Sequence, residues 1–154
     1  TLRPAGALFW FGLIAWMLNP AWMAWSAMPL PGWTRWTGAV LAAAGAALLV
    51  WTFRSLGPNL TDTVVTRREH TLVLRGPYRR VRHPLYDSAA LLTLGVSLMA
   101  ANWFLLAAGA VVFGLLIIRT RVEEEHLVAR FGDSYLVYTQ RTGRFLPRRR
   151  MKAG

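Results

Sequence analysis

The chain has 154 residues, 55% of them apolar, with eight tryptophans, no cysteine and a formal net charge of +11. That length suits one domain, but the apolar share and tryptophan count exclude an ordinary soluble domain of this size and make lipid the expected solvent. The missing cysteine excludes disulfides, thiolate zinc sites and a cysteine nucleophile, and leaves the compartment open.

Four runs carry no charge, at residues 5–28, 37–53, 88–101 and 103–118. Crossing a hydrocarbon core of about 30 Å takes roughly 20 residues, so the first two are credible spans. Arg3 ahead of the first run would also suit a secretory signal, but the run is too long for a typical signal-peptide apolar region. Asn19-Pro20 is expected to kink this span by removing a backbone donor. Pro29-Leu30-Pro31-Gly32 reads as a stiff turn, with Trp33 and Trp36 as interfacial anchors. After the second span, the polar segment 54–87 opens with Arg54-Ser55-Leu56-Gly57-Pro58-Asn59. Within it Thr71-Leu72-Val73-Leu74, bounded by His70 and Gly76-Pro77, is too short for a free-standing strand and reads as an extended loop lining a site.

Taken as one helix, residues 88–118 would extend about 46 Å and overshoot a bilayer. A turn near Asn102 resolves this, and Gly95, Ala107, Ala108, Gly109 and Gly114 let two short helices pack closely in lipid. The basic residues support the resulting four spans. One precedes the first span, seven lie in 54–82 and nine follow residue 118, all on one side, with only Arg35 opposite. By the positive-inside rule both termini are then cytoplasmic. Arg119 to Phe131 looks helical, and Gly132-Asp133-Ser134 can end that helix and cap a short one carrying Tyr135 and Tyr138. The basic residues hug span ends and form no recognised nucleic-acid module, so anionic lipid head groups are the expected partners and nucleic acid is not.

The segment Gly76-Pro77-Tyr78-Arg79-Arg80-Val81-Arg82-His83-Pro84-Leu85-Tyr86 is basic, aromatic and proline-stiffened where a membrane helix should begin. The hairpin returns the chain to the face it left, so this segment should meet the start of the helix at Arg119. Pro84 biases His83 away from helical geometry and suits the first position of the next helix. His83 could serve as a proton shuttle, a ligand contact or a structural hydrogen bonder. Arg119 and Glu123 are four apart and share a helical face. They could clamp a zwitterionic ligand from both ends or form a plain intrahelical ion pair. Three histidines at these spacings form no recognised ligand set, so no metal is expected.

Two blocks then match a family in order and spacing. Gly76-Pro77-Tyr78, Arg82-His83-Pro84 and Tyr86 precede the apolar hairpin. Arg119, Glu123-Glu124, Leu127, Phe131-Gly132, Tyr135, Tyr138 and Arg144-Phe145-Leu146-Pro147 follow it. From about Arg54 to Pro147 the chain resembles the isoprenylcysteine carboxyl methyltransferase family, with parts shared by phospholipid N-methyltransferases. Ser88 stands where that family usually has a small residue, often glycine, and Asp87 precedes it.

The resemblance implies an all-α integral membrane enzyme with about four transmembrane helices, including the C-terminal hairpin, in a single membrane domain. A cytosolic pocket for S-adenosylmethionine would be formed by segments 54–87 and 119–147, that is, by loops and short C-terminal helices. By position, His70, Thr71, Leu72, Val73, Tyr78, His83, Pro84, Leu85, Tyr86 and Glu123 would line the cofactor, and Arg119 would be catalytic and face the methyl acceptor. That acceptor would be a lipophilic or lipid-linked carboxylate or thiol. The expected location is a bacterial inner (cytoplasmic) membrane, multi-pass. The other readings are a phospholipid amine N-methyltransferase, a sterol-reductase-like enzyme using NADPH, and a non-enzymatic membrane scaffold.

Overall fold

The computed structural model describes residues 2–57 and 72–148. Its helices are α1 (Leu2–Leu18), α2 (Gly32–Leu56), α3 (Pro84–Ala100), α4 (Trp103–Phe131) and α5 (Asp133–Arg141), with 3-10 turns at Pro20–Ser26 and Gly76–Arg79. The expected all-α fold is observed, and α1 to α4 form a helical bundle.

The first apolar run breaks where a kink was expected. Asn19 is extended, at φ −154° and ψ 105°, and its side chain accepts from the Ala21 amide at 3.0 Å, so Pro20 begins a separate 3-10 helix. The reason lies far along the chain. Asn102, buried at the tip of the α3–α4 hairpin, donates to Ser26 Oγ at 2.7 Å and to the Met23 carbonyl at 3.3 Å. Its Oδ1 accepts from the Leu105 amide at 3.1 Å and caps α4. A straight α1 could not deliver Met23 and Ser26 to that tip, and leaving the Asn102 amide unpaired in the interior would cost about 1–3 kcal/mol. The hairpin itself turns at the expected place, with Ala101 in the left-handed region at φ 48°.

Phe9, Leu13, Ala100 and Leu105 form a small core between α1, α3 and α4. Helices α2 and α3 approach through glycine. A Cβ on Gly38 would lie 2.6 Å from both the Gly95 carbonyl oxygen and the Met99 amide nitrogen, so the seam admits only a hydrogen there. Gly38→Ala is therefore expected to cost about 1–3 kcal/mol through overpacking. Gly114→Ala, with nothing within 4 Å of its Cβ, should be neutral or slightly stabilising through helix propensity. Thermal scans of the two variants in detergent test this, and equal midpoints would contradict the seam.

The outward faces are apolar. Trp10, Phe11 and Met17 of α1, Trp36 and Val40 of α2, and Val111 and Ile118 of α4 are all exposed. Water does not tolerate such contiguous surface, whereas lipid does. Helices α2, with 25 residues, and α4, with 29, are long and apolar enough to cross a membrane, and less than a quarter of each apolar stretch is buried inside the bundle. The protein is an integral membrane protein with at least two membrane-spanning helices. The uncharged part of α4 ends at Ile118. The helix then continues past Arg119, because no glycine or proline interrupts it before Gly132, whose φ of 51° stops it.

Candidate functional site

The site is built where the chain enters α3. Arg75 Nε donates to the Ser55 carbonyl at 2.9 Å, tying this entry to the end of α2. Gly76, at φ 59°, starts the 3-10 turn, and a Cβ there would collide with the Ser55 side chain. The chain then pairs with the C-terminal segment. The Arg82 amide donates to the Gly143 carbonyl at 2.9 Å and the His83 amide to the Arg144 carbonyl at 3.1 Å. His83 caps α3 with non-helical dihedrals and Pro84 takes the first helical position, as their order in the sequence predicts.

Glu124, beyond the uncharged part of α4, is the hub that joins these pieces. Its Oε1 accepts from Arg82 Nε at 2.8 Å, from Arg144 Nε at 3.2 Å and from His83 Nε2 at 3.2 Å, and its Oε2 accepts from Arg144 Nη2. Arg82 Nη1 donates onward to the Thr142 carbonyl at 2.7 Å. Burial by itself would raise the Glu124 carboxyl, but the hydrogen bonds from Arg144 and Arg82 and the Arg82 charge outweigh it and hold the group at about 2. Burial pushes the His83 imidazole below its usual range against the pull of Glu123 and Glu124. The contact is therefore a hydrogen bond from a neutral Nε2–H rather than an ion pair.

One residue earlier on α4, Glu123 faces α3. Tyr86 Oη donates to its Oε2 at 2.7 Å. The His83 and Tyr86 rings stack at 5.4 Å with 6° between planes, and Phe145 packs on His83 at 5.9 Å. Tyr138 Oη donates to the Tyr78 carbonyl at 2.7 Å, which locks the 3-10 turn to α5. Burial, with Tyr138 and Glu123 nearby, pushes the Tyr78 phenol up to about 12, so it stays a neutral donor. Tyr135, 1% exposed, is the exception in this well-paired region, because its hydroxyl has no hydrogen-bond partner among the described residues.

Residues 33–134, well over half of the chain, match the family model described as phospholipid methyltransferase. The chain belongs to the phospholipid methyltransferase family. Among its family relatives, the cobalt-zinc-cadmium resistance protein CzcN of Cupriavidus metallidurans is 32% identical over 128 residues, 76% of this chain and 56% of that protein. Protein-S-isoprenylcysteine O-methyltransferase B of Arabidopsis thaliana is 30% identical over 118 residues, 75% of this chain and 60% of that one. A solved structure of the eukaryotic intramembrane Ras methyltransferase, isoprenylcysteine carboxyl methyltransferase, superposes with a TM-score of 0.70 at 24% identity, over 94% of this chain and 51% of that one. The fold is shared, and the resemblance read from the two sequence blocks holds at the family level. The chain spans little more than half the length of these relatives.

Within this family member, the sequence-predicted residues divide into three groups. His83, Tyr86 and Glu123 come together, with Pro84 and Leu85 standing between the first two in the first turn of α3, and Tyr78 is close enough to Glu123 to feel its charge. Leu72 and Val73 lie in a non-helical, half-buried stretch leading to the Gly76 turn, while His70 and Thr71 fall outside the described residues. Arg119 is exposed and close enough to act electrostatically on Tyr86.

The intrahelical Arg119–Glu123 ion pair is not formed among the described residues, in which Arg82 and Arg144 both pair with Glu124. An exposed i,i+4 pair gains only a few tenths of a kcal/mol, and the half-buried Tyr86 hydroxyl takes Glu123 in its place. Sequence reasoning assigned no role to Arg82, Glu124, Arg144 or Tyr135. All four stood inside the matched blocks, but spacing along the chain carries no sign that three of them meet.

Proposed function

We propose that this protein is an S-adenosylmethionine-dependent methyltransferase acting on a lipophilic carboxylate or thiol. The observation that carries the reading is the 2.7 Å hydrogen bond from Tyr86 to Glu123, which joins the histidine-proline turn to the glutamate face of α4 at the end of its apolar stretch. The residues present fit the methyl donor. Glu123 offers a carboxylate for an ammonium or ribose hydroxyls, the parallel His83 and Tyr86 rings offer a flat apolar surface, and Tyr135 Oη is a buried polar group lacking a partner among the described residues. Leu72, Val73, Tyr78, His83, Pro84, Leu85, Tyr86 and Glu123, together with His70 and Thr71, would hold it.

When bound, the donor supplies a methyl group activated on a sulfonium. The transfer is an in-line displacement, so the chain's task is alignment and exclusion of water. Tyr86 fixes the Glu123 carboxylate, and Glu124 locks the Arg82–His83 segment against the C-terminal segment that carries Phe145. Arg119 orients an acceptor carboxylate without protonating it, because a guanidinium stays charged and presents parallel donors.

The same reading has four spans: α1 with the Pro20–Ser26 turn, α2, α3, and α4 as far as Ile118. Both termini and the segments 54–87 and 119–147 lie on the cytoplasmic side of a bacterial inner membrane, where a soluble donor and a lipid-borne acceptor can meet. The basic residues support this, since seventeen fall on one side and only Arg35 opposite.

Calorimetry with S-adenosylhomocysteine in detergent tests the proposal. Wild-type protein should bind, and Glu123→Ala should weaken binding by about tenfold to a hundredfold, as expected for a lost charge-assisted hydrogen bond. Binding that ignores Glu123 would remove the support. The description of the matching family favours a second reading, in which the acceptor is a phospholipid amine. Incubating membrane lipids with labelled donor separates the two. Label in phosphatidylethanolamine derivatives selects the amine, and base-labile label selects a carboxyl ester.

A further inference from the structure

A cavity of about 1280 Å³ opens on α2, the Gly76 turn, α5 and the C-terminal segment, and none of His83, Tyr86, Arg119 or Glu123 lines it. Arg79 and Arg80 reach it from the 3-10 turn, Arg141 from the end of α5 and Arg148 from the C-terminal segment, over an apolar side that includes Trp51 and Leu74. Among the described residues, no acidic residue lines it and none of these four arginines has a carboxylate within ion-pair distance. Arg148 is held in place by its own chain, its Nη1 donating to the Thr139 carbonyl at 3.3 Å and the Gln140 carbonyl at 2.9 Å.

Four guanidiniums gathered around one concavity repel one another, and a bound anion relieves that repulsion. Guanidinium forks match phosphate oxygens in geometry as well as charge. Trp51 and Leu74, each about half exposed, add apolar surface at the membrane end, with Trp51 one helical turn before Arg54. An indole at that level is at home beside lipid glycerol and acyl chain.

We infer that this arginine-lined cavity binds a phosphate-bearing amphiphile at a site separate from the Tyr86–Glu123 pair. A membrane phospholipid of net negative charge and a soluble phosphate ester share the recognised group, and the apolar side favours the lipid.

The test uses the full chain in nanodiscs and a binding readout, so its outcome is independent of whether methyl transfer is observed. In phosphatidylcholine doped with phosphatidylglycerol, native mass spectrometry should find phosphatidylglycerol retained by the wild type. The double variant Arg79→Gln/Arg141→Gln should lower that retention roughly tenfold to thirtyfold. Arg35→Gln/Arg121→Gln, equal in charge change but outside the cavity, should retain it like the wild type. All four cavity arginines are exposed, so these variants are expected to fold, and the single variants provide a second series with about fivefold losses each.

A parallel calorimetric titration with glycerol 3-phosphate in undoped phosphatidylcholine nanodiscs identifies the source. Saturable binding abolished by the cavity variant assigns a soluble phosphate, and lipid retention without it assigns the membrane. Retention insensitive to Arg79 and Arg141, or lowered equally by Arg35→Gln/Arg121→Gln, with no saturable soluble binding, overturns the inference.

Discussion

Replacing Glu124 with alanine lowers the thermal unfolding midpoint by about 6–12 °C, the shift expected for a loss of roughly 3 kcal/mol in a chain of this size. The substitution leaves Arg82 in a poorly hydrated place with no counter-charge and the neutral His83 Nε2–H without its acceptor, and it removes the ties from Arg144 to α4. Arg144 is more exposed than its partners, at 37% of its side chain, so it recovers some hydration and the loss falls at the lower end of that for a fully buried pair. Glu124→Gln should fall between, keeping acceptor geometry on one atom and losing the charge. In an Arg144→Gln background Glu124→Ala should cost less than in the wild type, because the two residues share one interaction. A midpoint unchanged by Glu124→Ala would mean that the cluster is no strut.

The same cluster fixes how stability changes with pH. Glu124 titrates at about 2 when folded against an ordinary value of 4.5, so the unfolded chain binds more protons between those limits. Its contribution is complete above about 4.5 and is lost as pH falls toward 2. His83 acts in the same direction from a higher start. Burial lowers its folded value, so stability begins to fall once the pH drops below the ordinary 6.5 and continues to fall until the folded value is passed. Melts of the wild type, Glu124→Gln and His83→Asn across this range should show the upper slope flattened by the histidine variant and the lower slope by the glutamine variant.

How much of this was legible in the sequence depends on how local each determinant is. The hairpin turn at Asn102 could be read because its cause is length, since the 31 uncharged residues 88–118 exceed what a bilayer holds. The start of α3 at Pro84 could be read because proline constrains its own φ and the residue before it. The break at Asn19 could not, because breaking rather than kinking is decided by Asn102 drawing Ser26 and Met23 toward it from across the bundle.

The sequence singled out Glu123, but it carried no sign of what Glu124 binds. Only the rotation of α4 against α3 sends Glu123 to Tyr86 and Glu124 to the arginines, and leaves Glu125 exposed. The i,i+4 rule offered Arg119 as the partner of Glu123. That rule knows only one helix, and the competing hydroxyl came from another.

Arg119 is for this reason the residue whose replacement should separate acceptor from donor. It is exposed, it makes no ion pair among the described residues, and its charge reaches Tyr86, so it stands beside the donor-binding group without holding it. If it orients the acceptor carboxylate, Arg119→Ala should leave S-adenosylhomocysteine affinity within about twofold of wild type and lower turnover by roughly a hundredfold. That is the scale for losing a charge-paired contact in a partly dehydrated site. The unfolding midpoint should barely move, since this side chain is exposed and makes no ion pair among the described residues. Arg119→Lys should recover only part of the rate, because an ammonium keeps the charge but lacks the two parallel donors. Steady-state kinetics with calorimetry on the same preparations would read both quantities. Loss of donor affinity in step with rate would place Arg119 at the donor instead, and an unchanged rate would give the acceptor's carboxylate no partner here, turning the assignment toward a phospholipid amine, which needs no cation to receive it.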